Sequence, residues 1–159
     1  MSPHASLAEF DQRLETTRLL GEFKPFYTPK QMLEMGVFEG RYLNATRHEY
    51  PADWFAAAKL TDRPDEALNH FGLKSRLPLS EWQMRGWIEP QDPLGWFQWY
   101  ARFSLGRRSA DDNRQIRRWL AFVRHSRQVE LHGGGDVTKR RRQRQALLQW
   151  AHDPYPDCR

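Results

Sequence analysis

Apolar side chains recur along this chain at helical spacing, most plainly in its last third. Ile116, Trp119, Leu120 and Val123 stand at i, i+3, i+4 and i+7, one stripe of an α-helix. The spacing predicts a helix over residues 110–131, with Ser109 as its cap and Asp111 and Asp112 in a first turn whose dipole favours carboxylates. Arg114, Arg117, Arg118, Arg124 and His125 lie off that stripe, on a contiguous basic face. After His132-Gly133-Gly134-Gly135-Asp136 a second helix is predicted over residues 137–152. It opens on Lys139, Arg140, Arg141, Arg142 and Arg144 and turns apolar only at Ala146, Leu147, Leu148 and Trp150.

A second stripe, Trp96, Trp99, Tyr100 and Phe103, sits within residues 92–105. Asp92 reads as the cap, Pro93 as the first helical residue and Gly106 as the stop. Aromatic residues at this spacing belong to a core before they belong to a stacking site, which leaves Arg102, Arg107 and Arg108 as further anion-binding candidates at the polar end. Upstream, Leu7, Phe10, Leu14 and Leu19 line one face of a helix over residues 6–20, closed by Gly21. Thr28-Pro29-Lys30-Gln31 has the form of a capping box with proline at the first helical position. Shorter proline-initiated helices are predicted from Pro51 through Leu60 and from Pro64 through Phe71, and another from Ser80 to Arg85. Strand-like alternation is nearly missing, and Val37 to Tyr42 is where any short β structure would fall. The expectation is a mainly α protein: one compact, bundle-like domain of six to eight helices with little or no β. Residues 1–23 would form a detachable helical arm and residues 24–159 a helical core ending in a basic helix pair.

Composition supports a packed interior. Of 159 residues, 39% are hydrophobic and 13% aromatic, including seven tryptophans. That is enough for a core and too short a chain for two comfortable domains. No apolar run approaches the roughly 18 residues a membrane helix needs. Residues 1–13 lack the apolar stretch of a secretory signal, and the single Cys158 cannot form an internal disulfide. A cytoplasmic protein without membrane contact is expected.

Charge changes the picture. Residues 1–100 carry 11 Lys and Arg against 14 Asp and Glu, a balance of −3, whereas residues 101–159 carry 14 against 6, a balance of +8. Lys139 is the only lysine in that second part. Arginine offers a planar fork for phosphate and carboxylate, which a merely solubilising surface does not require. With a helix starting near Val137, the cationic run would occupy first turns where the dipole disfavours positive charge by about 0.3–1 kcal/mol each. A bound anion would offset that cost.

Residues 67–88 resemble the helix-turn-helix of phage-repressor-type proteins: a short helix, the Gly72 turn, a linker, and a second helix with Trp82. The resemblance implies DNA reading by Ser75, Arg76, Gln83 and Arg85. The interval from Gly72 to Trp82 is one residue longer than that unit usually allows, and Pro78 interrupts the reading helix. A helical hairpin in the core fits these residues better. The loose clusters His48-Glu49, His125 with His132, and His152-Asp153 with Asp157 and Cys158 lack metal-ligand spacing, so no metal or cofactor is expected. There is no Gly-x-Ser-x-Gly. Glycines 133–135 lack the ending of a phosphate-binding P-loop and read as a hinge. A cleft between the last two helices could gather Asp111, Asp112, Arg114, Gln115, Arg118, His125 and Arg144, although buried Arg–Asp pairs joining helices would use the same residues.

The leading expectation is a small basic module that binds a polyanion, most plausibly nucleic acid, through the arginine-rich face of residues 109–149. Its alternatives are an enzyme or ligand-binding protein with an arginine-lined pocket for a phosphorylated or carboxylated small molecule, and a helical protein-interaction module.

Overall fold

The computed structural model describes residues 6–75, 81, 84–86 and 88–159, whose regular elements are all helical, with no strand among them. Among these residues are six α-helices, α1 (Leu7–Glu22), α2 (Pro29–Met35), α3 (Trp96–Ser104), α4 (Asp112–Ala121), α5 (Val123–His132) and α6 (Arg141–Gln149), with short 3-10 turns between α2 and α3 and after α6. The mainly α, bundle-like architecture is the one the apolar spacing predicts. The Thr28 capping box forms, and a second one caps α1. Ser6 Oγ accepts from Glu9 N and Glu9 reaches back to Ser6 N, and Thr28 and Gln31 repeat the exchange at α2.

The core is aromatic and centres on Phe23, the residue just after α1. Its ring lies 5.1 Å from Trp119, 5.4 Å from Phe103, 5.6 Å from Trp99 and 5.8 Å from Tyr100, centroid to centroid. Three of these contacts are edge-on, as the ring quadrupole favours. Trp96, Trp99 and Tyr100 of the α3 stripe are buried as expected and Phe103 partly so, and Phe97 is buried as well. The buried polar tips of α3 each find a partner: Trp99 Nε1 donates to Asp112 Oδ1 at 2.8 Å, Trp96 Nε1 to the Gln115 carbonyl, and Tyr100 Oη to the Tyr27 carbonyl. The far end of α1 is different. Leu7, Phe10 and Leu14 are exposed, and only Leu19 reaches the core.

Several local expectations are corrected. The region after Pro51 forms only the 3-10 turn Ala52–Trp54, and that after Pro64 only Glu66–Leu68. The first helix of a helix-turn-helix is therefore missing; residues 76–80, 82, 83 and 87, which carry most of the rest of that unit and the helix at Ser80, lie outside the described residues. Val37 to Tyr42 holds the turn Phe38–Gly40, with Phe38 and Glu39 at positive φ, so no strand runs there. Helix α3 starts at Trp96, and Asp92 does not cap it. The long basic helix breaks at Phe122, whose N–H is shared between the Arg118 and Trp119 carbonyls. That tightening turns Val123 out to solvent while Val129 becomes fully buried. The last helix begins at Arg141 rather than near Val137, after Arg140 in the left-handed conformation.

Candidate anion-binding surface

Helix α6 fixes the basic segment from beneath. Arg144 is wholly buried, and all five of its N–H donors are used. Nη1 and Nη2 clasp Asp157 side-on at 2.7 and 2.6 Å. The remaining bonds go to the carbonyls of Lys139 (2.8 Å), Pro154 (3.0 Å) and Asp136 (3.1 Å). Asp157 Oδ2 also accepts from Gly135 N at 2.9 Å. The Arg144 guanidinium, with help from that N–H, holds the Asp157 carboxyl well below the usual carboxylate range. Gly133 leaves the room for this pair: a Cβ there would stand 2.8 Å from Arg144 Nη2 and 2.7 Å from the Val129 carbonyl, and would overlap Asp157 Oδ2. The glycine-rich connector is thus tied down at both ends, contrary to a free hinge.

Polar residues of the same helix pin it to the rest of the protein. Gln145 Oε1 accepts from Phe71 N and its Nε2 donates to the Gly36 carbonyl. Gln149 Oε1 accepts from Phe38 N, and its Nε2 donates to the Ser75 carbonyl. Both side chains are buried. What reads as the polar face of α6 is largely an internal fastening.

The predicted cations separate into two groups. Five are neutralised by carboxylates. Arg102 forks onto Glu49 and also reaches Asp92, and Arg107 clasps the fully buried Asp92 through both terminal nitrogens. Arg114 pairs with Asp111, Arg117 with Glu15 of α1, and Arg144 with Asp157. Arg108 folds back over the Phe103 ring and donates to two carbonyls. Arg118 lies over Trp150 and donates to Gln115, and burial lowers its pKa to about 10. His125 stacks on Phe122; desolvation, then the charge of Arg124, lowers its pKa.

The second group stays open to solvent. Lys139, Arg140 and Arg142 are exposed and have no ion pair among the described residues. Arg140 makes only a 3.3 Å bond to Gln143, and Arg124 one to the Ala121 carbonyl. No side chain caps α6, so Arg141 and Arg142 sit in an uncapped first turn where the helix dipole opposes their charge. Of the residues that could gather in a cleft between the last helices, Asp111, Arg114, Gln115 and Arg118 join in one hydrogen-bonded chain, whereas Asp112 is turned to Trp99 and Arg144 to Asp157.

Arg141 faces elsewhere. It donates to the Phe71 carbonyl and stands on the wall of an open cleft of about 420 Å³, with Lys59, Asn69, His70, Gly72 and Thr138 around it. His70 Nε2 lies 2.7 Å from Tyr155 Oη. Partial desolvation, then the Lys59 ammonium, lowers the His70 pKa against the pull of a hydrogen bond to the Met35 backbone. Burial and the Lys59 charge thus favour the neutral form of the ring beside the Tyr155 hydroxyl. Lys59, His70 and Tyr155 carry no signal in the sequence, because 11 and 85 positions separate His70 from its two neighbours.

No protein-family model, curated protein or solved structure matches this chain. Among the described residues no helix is long and apolar enough to cross a membrane, and no three His, Cys, Asp or Glu side chains gather as metal ligands.

Proposed function

We propose that this protein is a helical polyanion-binding module that grips the phosphodiester backbone of nucleic acid along the ridge Lys139, Arg140 and Arg142. One observation carries the reading. Most arginines of the basic end are neutralised by carboxylates or folded onto rings and carbonyls, yet these three cations of one short segment are exposed and lack ion-pair partners among the described residues. Arg144 holds the carbonyls of Lys139 and of Asp136 just before it, so the start of the ridge is presented at little cost in ordering. Phosphates seated there would also relieve the opposed dipole at the start of α6.

Each phosphate neutralised contributes a slope of about −0.9 for duplex or −0.7 for single strands to log affinity against log salt. Replacing Lys139, Arg140 and Arg142 together with glutamine should therefore reduce that slope by about 2–3 in a fluorescence-anisotropy titration. Because the three are at the surface, the melting temperature should move by no more than about 2 °C. An unchanged slope in a folded triple variant would refute the ridge. A second reading, a pocket for a small phosphorylated ligand, is favoured by one observation only: the cleft that holds Lys59, His70 and Arg141.

A further inference from the structure

We infer that the cleft between Lys59, His70 and Arg141 is a seat for a phosphate monoester. The cleft has walls from three separate parts of the chain, and its volume of about 420 Å³ is within the range of small-molecule sites. It holds two cations, Lys59 and Arg141, and neither has an ion pair among the described residues. No carboxylate lines it among those residues. The Asp136 carboxylate of the adjoining loop is turned onto Thr138 N and Oγ1, and Asn69 is occupied by Glu39 N, the Leu73 carbonyl and, at 3.5 Å, Oε2 of the buried Glu39 carboxylate behind the lining. The lining itself thus carries positive charge without a carboxylate, in a concavity where charge is focused rather than dispersed.

The arrangement suits a monoester better than a diester. A diester carries one charge and is served by an open ridge. A monoester carries close to two charges and three terminal oxygens at pH 7, which calls for converging cations. The Arg141 guanidinium is anchored to the Phe71 carbonyl and so is pre-positioned as a fork. His70, whose ring nitrogens already engage Tyr155 Oη and the Met35 backbone, contributes charge rather than a free donor, by taking a proton from solvent as the dianion arrives. The groups that face it are Lys59, Arg141 and the Tyr155 hydroxyl. Gly72, at φ +69° beside the Arg141 guanidinium, leaves that side of the cleft without a side chain.

The monoester has two possible sources: the phosphorylated end of a strand lying on the ridge, or a free sugar phosphate. The first rests on the ridge reading and the second does not. The test compares fluorescent single strands with a 5′-phosphate, a 3′-phosphate or hydroxyls at both ends, at one salt concentration. In parallel, ribose 5-phosphate is titrated while the His70 ring is followed by NMR. A strand-end seat predicts about tenfold tighter binding of one phosphorylated strand. Lys59→Gln and His70→Gln should abolish that advantage and leave the hydroxyl-ended strand unaffected. A free-ligand seat predicts a saturable His70 shift, with a raised His70 midpoint, whether or not strands bind. Equal affinity for all three strands with no His70 response would overturn the inference and leave the ridge standing. A His70 response with no strand binding would instead overturn the ridge and keep the seat.

Discussion

Replacing Arg144 by methionine keeps most of the buried stem and removes the charge, so it isolates what the guanidinium does. The side chain is 0% exposed and its partner Asp157 is 3% exposed. Removal therefore strands a carboxylate out of water and leaves the carbonyls of Asp136, Lys139 and Pro154 without their donor. Breaking one side of a buried ion pair costs about 3–5 kcal/mol, a large share of the roughly 5–15 kcal/mol that holds a typical domain together. At about 2–4 °C per kcal/mol for a chain of this size, the melting temperature should fall by about 6–20 °C. The assay is urea unfolding at neutral pH of the wild type, Arg144→Met, Asp157→Asn and the double variant. The coupling between the two sites should be about 1–3 kcal/mol. The pH dependence has a definite sign. The Asp157 pKa is depressed in the folded state, so its contribution is complete above the ordinary carboxylate value of about 3.9 and is lost as pH falls below it. The gap between wild type and Arg144→Met should narrow over that acid window. A cost below about 1 kcal/mol, or a gap indifferent to acid, would mean that Arg144 does not organise the loop.

Two further outcomes follow from the same geometry. Gly133→Ala should destabilise by about 1–3 kcal/mol through overpacking, because its new methyl meets the Asp157 carboxylate, the Arg144 guanidinium and the Val129 carbonyl; equal unfolding midpoints in urea would contradict this. His152, stacked on Trp119 and bonded to its carbonyl, and His125 both have pKa values lowered mainly by desolvation. The unfolded chain takes up their protons first, so stability should be complete above about pH 6.5 and decline as pH falls below it. His152→Phe should flatten that decline, and an equally steep one would acquit the histidine.

The apolar spacing was enough to determine that the chain is helical and to place Trp96, Trp99, Tyr100, Ile116 and Trp119 inside, because burying one face follows directly from period 3.6. The capping box at Thr28 was equally legible, since it involves residues only three apart. Which cations face an anion was not. Arg102 and Arg107 share Asp92 across 10 and 15 positions, Arg117 reaches Glu15 across 102, and Arg144 closes on Asp157 across 13. Formal charge is a local property of the sequence. Whether a charge is neutralised depends on which distant carboxylate the folded chain brings beside it, and only tertiary packing decides that. The same packing set Lys59, His70 and Arg141 around one cleft and left Lys139, Arg140 and Arg142 outside it, a division that the unbroken basic run 139–142 does not show.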